Sequence, residues 1–412
     1  MSIYTDAQEI IHSALEACLP DQAVRRALEG KELGSGRVFL VALGKAAWQM
    51  ARCAAELLGP RLEQGVVVTK HGHSQGDIPR CQVFEGGHPV PDEGSFRGTR
   101  AAMELVQDLA PQDTAVLLVS GGGSALFERP LIPAEELAQL TSALLACGAD
   151  IVEMNTVRKR LSAVKGGRFA QLCAPAQVYS IVLSDILGDP LDMIASGPAY
   201  PDRSTCAQAR AIAEKYQLPL SGQARALLDQ ETPKELDNVE TVITGSVREL
   251  CSAAAAVCQR LGYETHILTD QLCCQAREAG SFLASIARTH GQEGRSLAFL
   301  AGGETVVLLT GKGLGGRNQE LALSAAEGIS GMENALIFSL GSDGTDGPTD
   351  AAGGIVDGQT RGKLAQAGLT IHQVLADNDA YHALEKVGGL IHTGPTGTNV
   401  NDVAVVLLKA DN

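Results

Sequence analysis

Apolar positions along this chain alternate between two periods. Short unbroken runs of aliphatic and β-branched residues, Val38–Leu43, Gly65–Thr69, Cys81–Phe84, Ala115–Val119 and Gln177–Leu183, read as buried strands. Between them Ala46–Leu58, Phe96–Leu109 and Ala134–Ala146 carry apolar residues at helical spacing. Upstream, Thr5-Asp6-Ala7-Gln8 has capping-box spacing ahead of Ile10, Ile11, Leu15 and Leu19, and a second short helix is expected over Asp21–Leu28. After the polar stretch Ser221–Asn238 the alternation resumes. Strands are expected at Val239–Ile243, Thr265–Leu268, Leu297–Ala301, Thr305–Leu309, Ala335–Leu340 and Val403–Leu408, and helices at Val247–Leu261, Ala276–His290 and Ala376–Val387. Strands alternating with helices predict an α/β fold whose parallel sheets are covered on both faces. A chain of 412 residues exceeds one ordinary core, and the polar stretch divides it into domains at 1–235 and 236–412.

In such sheets ligands collect past the carboxyl ends of the strands, and the unusual loops fall there. Lys45 follows Leu43-Gly44 at a helix N-terminus, where a cation opposes the helix dipole unless an anion joins it. Ser120, Gly121, Gly122, Gly123 and Ser124 form a run whose N–H groups suit a phosphate or a carboxylate, or else a close packing turn. The glycine-rich segment Gly311–Gly316 opens onto Arg317-Asn318-Gln319-Glu320, so an anion is expected at that helix start beside the forked donors of Arg317. Asn155 and Arg158, three apart, share one helix face, whereas the trio Arg158-Lys159-Arg160 otherwise reads as surface charge. Asp189, Asp343 and Asp346 suit Mg²⁺, which takes one or two carboxylates plus phosphate oxygens, or else serve as turn-forming residues beside Gly and Pro. His88-Pro89-Val90-Pro91 reads as a stiff extended loop rather than a ligand contact. No GxxxxGK[ST] motif occurs, and Gly121-x-Gly123 lacks the third glycine of a dinucleotide fingerprint.

Charge and cysteines narrow the class. The balance of 33 basic and 48 acidic residues gives −15, with no basic run longer than the trio Arg158-Lys159-Arg160, which argues against nucleic acid and anionic membrane as partners. Ten scattered cysteines without CxxC spacing or a secretory leader fit a reducing cytoplasm better than a disulfide framework. No apolar run approaches the length of a spanning helix.

Six segments in order, SGGGSALFERP at Ser120–Pro130, MNTVRKRLSAVKGGR at Met154–Arg168, SDILGDPLDMIASGP at Ser184–Pro198, AGGETVVLLTGKGLGGRNQELAL at Ala301–Leu323, SLGSDGTDGPTDAAGG at Ser339–Gly354 and TGPTGTNVNDV at Thr393–Val403, resemble the glycerate 2-kinases of the MOFRL family. Some members of that family are also labelled hydroxypyruvate reductases. The resemblance implies a Rossmann-like doubly wound N-terminal domain and a smaller α/β C-terminal domain, with the active site in the cleft between them. It implies ATP-dependent phosphorylation of D-glycerate to 2-phosphoglycerate with a divalent metal, Mg²⁺. The alternative is an NAD(P)-dependent hydroxypyruvate reductase. Lys45 and Arg317 match the family's catalytic lysine and arginine, and Asp189 is a candidate base or metal contact. By position, Ser120–Ser124, Asn155 and Arg158 are assigned to the substrate, and Gly313, Gly315, Gly316, Asn318 and Glu304 to the nucleotide. Homodimer formation is left open.

Overall fold

The computed structural model describes residues 2–410. The chain divides into two compact units, the first formed by Ala23–Ser184 with Asp189–Thr244, the second by Met1–Gln22, Asp185–Gly188 and Gly245–Asn412.

In the first unit, β1 (Val38–Leu43), β2 (Leu62–Lys70), β3 (Cys81–Gly86), β4 (Thr114–Val119), β5 (Gln177–Leu183) and β6 (Val239–Gly245) lie in the order β3-β2-β1-β4-β5-β6. The ladders β1–β2, β1–β4, β2–β3 and β4–β5 are parallel. Every residue of β1 and β4 is buried, which is why these strands appear in the sequence without polar alternation. The chain winds outward from β1 through β2 and β3 on one side and from β4 through β5 and β6 on the other. That is the doubly wound order, and its switch point lies between β1 and β4. The strand expected at Val239–Ile243 to open the second domain is β6 of this first sheet, so the sheet continues past the boundary expected at residue 235.

The second unit also claims the N-terminal segment. Helix Ile3–Ala17 starts at Ser2, whose side chain caps Thr5 N–H at 3.1 Å, three residues before the expected cap at Thr5. The helix packs on helix Val247–Arg260, and its buried Asp6 accepts from Tyr263 Oη at 2.7 Å and Lys409 Nζ at 2.6 Å. The second sheet comprises β7 (Glu264–Leu272), β8 (Leu297–Gly303), β9 (Ala335–Gly341), β10 (Gly353–Asp357), β11 (Leu390–Ile391) and β12 (Asp402–Leu408), in the order β11-β10-β9-β12-β8-β7. Only β7–β8 is parallel. The other four ladders are antiparallel, so this sheet is mixed where alternation alone suggested a parallel one. Leu283, Phe299, Leu321, Ile337 and Val406 pack its core against helices Ala276–His290 and Arg317–Gly328.

Thr305–Leu309 is not a strand. Beyond β8 only Val306 bridges, to Gln275, and Val306, Leu308 and Leu309 are exposed. β-Branched residues favour a strand only where a ladder partner receives them. The expected helix Ala376–Val387 is two, Ile371–Ala376 and Ala380–Val387, broken at Asn378 with φ 55°. Among the described residues no helix is long and apolar enough to cross a membrane.

Lys159 and Arg160 are not surface charge but are 1% and 0% exposed. Lys159 Nζ lies 3.1 Å from Asp202 Oδ1 and 3.3 Å from Asp192, while Arg160 donates to the Ser204 hydroxyl at 2.8 Å and pairs with Glu231 at 3.2 Å. Burial pushes the Asp202 carboxyl upward, but Lys159 and the hydroxyls of Thr232 and Ser204 more than offset it and hold its pKa below the ordinary value. Removing one partner strands the others, so Asp202→Ala is expected to cost about 3–5 kcal/mol in denaturant unfolding. The stability from Asp202 is complete above about pH 4 and is lost as pH falls through its lower folded pKa, a dependence the variant lacks.

Candidate active site

At the switch point of the first sheet the loops after β1 and β4 are tied together through their backbones. Lys45 N–H donates to Gly121 O at 2.8 Å, Ala46 N–H donates to Ser120 Oγ at 3.1 Å, and Ser120 Oγ donates to Leu43 O at 3.2 Å. Lys45 therefore has a fixed backbone and an exposed side chain at the start of helix Ala47–Leu58. Next to it, the N–H groups of Gly121, Gly122, Gly123 and Ser124 donate to no protein acceptor among the described residues. Gly122 has φ 82°, and a Cβ there would lie 2.9 Å from Cδ2 and 3.1 Å from Nε2 of His88 and 3.2 Å from Cγ of Lys45. A side chain at this position would crowd both the His88 ring and the Lys45 stem.

Asn155 and Arg158 reach the same loop from one face of helix Ile151–Arg160, as their spacing required. Ser124 Oγ is 2.9 Å from Ser196 Oγ, Ser196 donates to Asn155 Oδ1 at 2.8 Å, and Arg158 Nη2 donates to Ser124 O at 3.2 Å. Arg158 Nε is buried without a partner. Beneath them Lys165, fully buried, donates to Ser124 O at 2.8 Å and Phe127 O at 2.9 Å and pairs with Glu128 at 3.2 Å. Burial lowers the Lys165 pKa to about 8, with Glu128 opposing that shift. The loop after β5 is strained. Asp189, Ala195 and Ser196 have φ of 50°, 51° and 60°, a region non-glycine residues rarely occupy away from functional sites.

Around these loops the surface of an acidic protein turns locally basic. His88 lies past the end of β3, and burial followed by the charges of Lys45, Lys70 and His73 holds its pKa below the ordinary histidine value. His73 approaches Lys45 O at 3.1 Å. His88 is the residue the sequence reading passed over. Its position two residues beyond a strand end, in Gly87-His88-Pro89, was the available signal.

In the second unit the start of helix Arg317–Gly328, where an anion was expected, is occupied by the chain's own carboxylate. Asp346 Oδ1 accepts from Asn318 N–H at 3.1 Å and Oδ2 from Gln319 N–H at 2.8 Å. Gly316 permits this approach, since a Cβ there would fall 2.4 Å from Asp346 Oδ1. Arg317 is held by the fork of Asp402, with Nε 2.5 Å from Oδ2 and Nη2 2.9 Å from Oδ1, and its Nη1 lies 3.3 Å from Glu304. Burial works against the Arg317 charge, but the bond to Asp402 and the charges of Asp402, Glu304 and Asp346 keep its pKa above the ordinary value. Asn318 joins Asp346 to Ser339, whose hydroxyl donates to Asn318 Oδ1 at 2.6 Å. The glycine-rich loop is stitched elsewhere. Gly313 N–H donates to Asp377 O at 2.8 Å and Gly311 N–H to Asn378 Oδ1 at 2.8 Å, while Gly315 precedes Gly316 at the helix start.

The three carboxylates suggested for metal differ in availability. Asp346 is buried with both oxygens on helix N–H groups, and Asp343 Oδ1 accepts from Thr345 N–H at 3.0 Å. Asp189, in the first unit, has its Oδ1 buried without a partner, as a carboxylate oxygen awaiting a cation would be. No cluster of three or more metal-capable side chains occurs among the described residues, so a metal here would draw most of its oxygens from substrate and water.

The chain is similar to known proteins over nearly its whole length. A domain of unknown function (DUF4147) matches residues 6–229 and the MOFRL family matches residues 297–402. The chain is 52% identical over 408 residues to the D-glycerate 2-kinase of Thermotoga maritima, covering 98% of this chain and 97% of that one. It is 41% identical over 437 residues to the glycerate 2-kinase of Pyrococcus horikoshii, covering 100% and 98%. The crystal structure of a glycerate kinase from Thermotoga maritima superposes with a TM-score of 0.95 over 98% of this chain and 99% of the other, at 52% identity.

The capping role of Asp346 is open to test. Asp346→Ala should lower unfolding stability by about 1–2 kcal/mol, the range of a lost N-cap. Burial, opposed by the Gln319 and Asn318 N–H groups, raises this carboxyl to about 6. Its contribution is therefore full below about pH 4 and falls as pH rises through about 6, so the gap between wild type and variant should widen on acidification across that window. Chemical denaturation at pH 4.5 and pH 7.5 checks both points.

Proposed function

The chain belongs to the glycerate 2-kinase family that carries a MOFRL domain, and on that premise we propose that Lys45 and Arg317 carry phosphoryl transfer from ATP to D-glycerate. It is a phosphotransferase with glycerate as acceptor. The observation that carries the site assignment is the switch point itself: free N–H groups at Gly121–Ser124 beside Lys45, with Lys70 and His73 adding positive character. Such a constellation suits a polyanion.

Phosphoryl transfer requires little covalent help, so positioning and charge neutralisation set the rate. Lys45 is a point charge on a fixed backbone, suited to a γ-phosphoryl oxygen. Arg317, already oriented by Asp402 and Glu304, offers its remaining donors as a planar fork. The Ser120–Ser124 loop, with Asn155 and Arg158 behind it, binds the glycerate carboxylate in this reading, and the unpartnered Arg158 Nε supports it. Glu304, Gly313, Gly315, Gly316 and Asn318 belong to the nucleotide side. Asp189, whose Oδ1 is buried without a partner, would hold Mg²⁺, which when bound would supply neutralisation of phosphate charge. The protein acts in the cytoplasm, a location supported by ten cysteines of which none is in a disulfide among the described residues. Holding the carboxylate beside the incoming phosphoryl favours the hydroxyl on the adjacent carbon, giving 2-phosphoglycerate.

Lys45→Ala should lower kcat by roughly 10²–10³ with little change in folding, and Arg317→Lys should be comparably impaired because a point charge cannot replace the fork. ADP formation in the two folded variants checks this, and near-normal turnover in either removes that residue from the mechanism. For the acceptor, an enolase-coupled assay should give signal without added mutase, since enolase takes 2-phosphoglycerate directly. Signal only after mutase is added would assign the other hydroxyl, and NADH loss with hydroxypyruvate would favour a reductase.

A further inference from the structure

One group at the switch point has no role in the account above. His88 follows β3 by two residues, and its ring edge, Cδ2 and Nε2, faces Gly122 in contact distance beside the Lys45 stem. Neither ring nitrogen has a hydrogen-bond partner among the described residues, although the ring is partly buried. A packing histidine ordinarily satisfies at least one nitrogen. The charged groups around it come from three strand ends: Lys45 after β1, Lys70 and His73 at and after β2, and, past β3, Asp92, which accepts from Gly87 N–H and is held by His71 Nε2 at 2.6 Å. The charges that act on the ring are cationic, while the nearby carboxylates Asp92 and Glu85 are already engaged with backbone N–H groups and His71. The imidazole is thus neutral at neutral pH and keeps a lone pair available.

A transfer to a glycerate hydroxyl must dispose of one proton. Resting on the kinase reading above, we propose that His88 is the general base, accepting on Nε2 the proton of the attacking glycerate hydroxyl. In the step the hydroxyl oxygen forms its bond to the γ-phosphorus, the bond from that phosphorus to the β–γ bridging oxygen breaks, ADP carries away that electron pair, and the hydroxyl proton goes to His88 Nε2. Imidazolium beside Lys45 is disfavoured by like charge, so His88 returns the proton to solvent readily and is ready for the next turnover.

The test uses the full chain with D-glycerate and ATP-Mg²⁺. His88→Ala should lower kcat at least about 10²-fold while the KM for ATP stays within about threefold, and free imidazole should restore part of the loss, rising with the neutral fraction of the added base. His88→Gln keeps the bulk and a polar edge. In wild type kcat/KM should fall as pH drops through a value below about 6.5, because the protonated ring cannot accept, and this acid limb should be absent in His88→Gln. A His88→Ala protein within about threefold of wild-type kcat, or an unchanged acid limb in His88→Gln, overturns the assignment. The two readings fail separately: wild type that forms no ADP with glycerate overturns the kinase reading and this one with it, whereas active wild type with an active His88→Ala overturns only the base.

Discussion

The hydrogen bond from Lys45 N–H to Gly121 O is the constraint on which the first unit's chemistry rests. It joins the loops of two neighbouring parallel strands where the winding direction reverses, the one place in such a sheet where two loops diverge and leave room for a guest. Because Ser120 Oγ also ties to Leu43 O and Ala46 N–H, the glycine run cannot relax back onto the sheet, and its N–H groups stay turned outward. The basic side chains then cluster by geometry, since β1, β2 and β3 all end on the same edge. An acidic chain is locally basic here through Lys45, Lys70 and His73, which are scattered in its sequence.

The second unit solves a different problem. A helix start attracts anions, and here Asp346 fills that place itself, so that Arg317 emerges from a helix whose Asn318 and Gln319 N–H groups are already satisfied. Asp402 then grips one edge of the guanidinium and leaves the rest for other partners. A free arginine would lose rotamer freedom on meeting a phosphate, whereas this one has largely lost it beforehand.

What could be read from residues alone follows from range. Lys45, the Ser120–Ser124 run and the Asn155–Arg158 face were legible because strand ends, glycines and helical spacing are local properties. The buried state of Lys159 and Arg160 was not, since Asp202, which neutralises them, lies 43 residues beyond Lys159. Asp346 looked like a ligand because nothing near it in sequence marks its partners, the helix start at Asn318 and Gln319. Strand direction was equally hidden: Asp402–Leu408 is the same kind of apolar run as Val38–Leu43, yet one runs antiparallel to both its neighbours and the other parallel. The Thr305–Leu309 run had the propensity of a strand and found no ladder to join. His88 was read as part of a stiff loop because a histidine between a glycine and a proline carries no spacing signal of its own.

The position of β12 between β8 and β9 carries a consequence for how the polypeptide comes into being. Synthesis runs from the amino end, so β8 and β9 leave the ribosome well before the strand that joins them, and neither pairs directly with the other. Until β12 arrives, each presents an open row of backbone groups flanked by apolar side chains. The segment that seals the sheet also brings Lys409 to Asp6 in the first helix, so the earliest and latest parts of this unit are locked together in the same closing event. Vectorial emergence thus leaves the second unit incomplete until β12 follows, while the first sheet, whose last strand is Val239–Gly245, can finish well before that strand emerges.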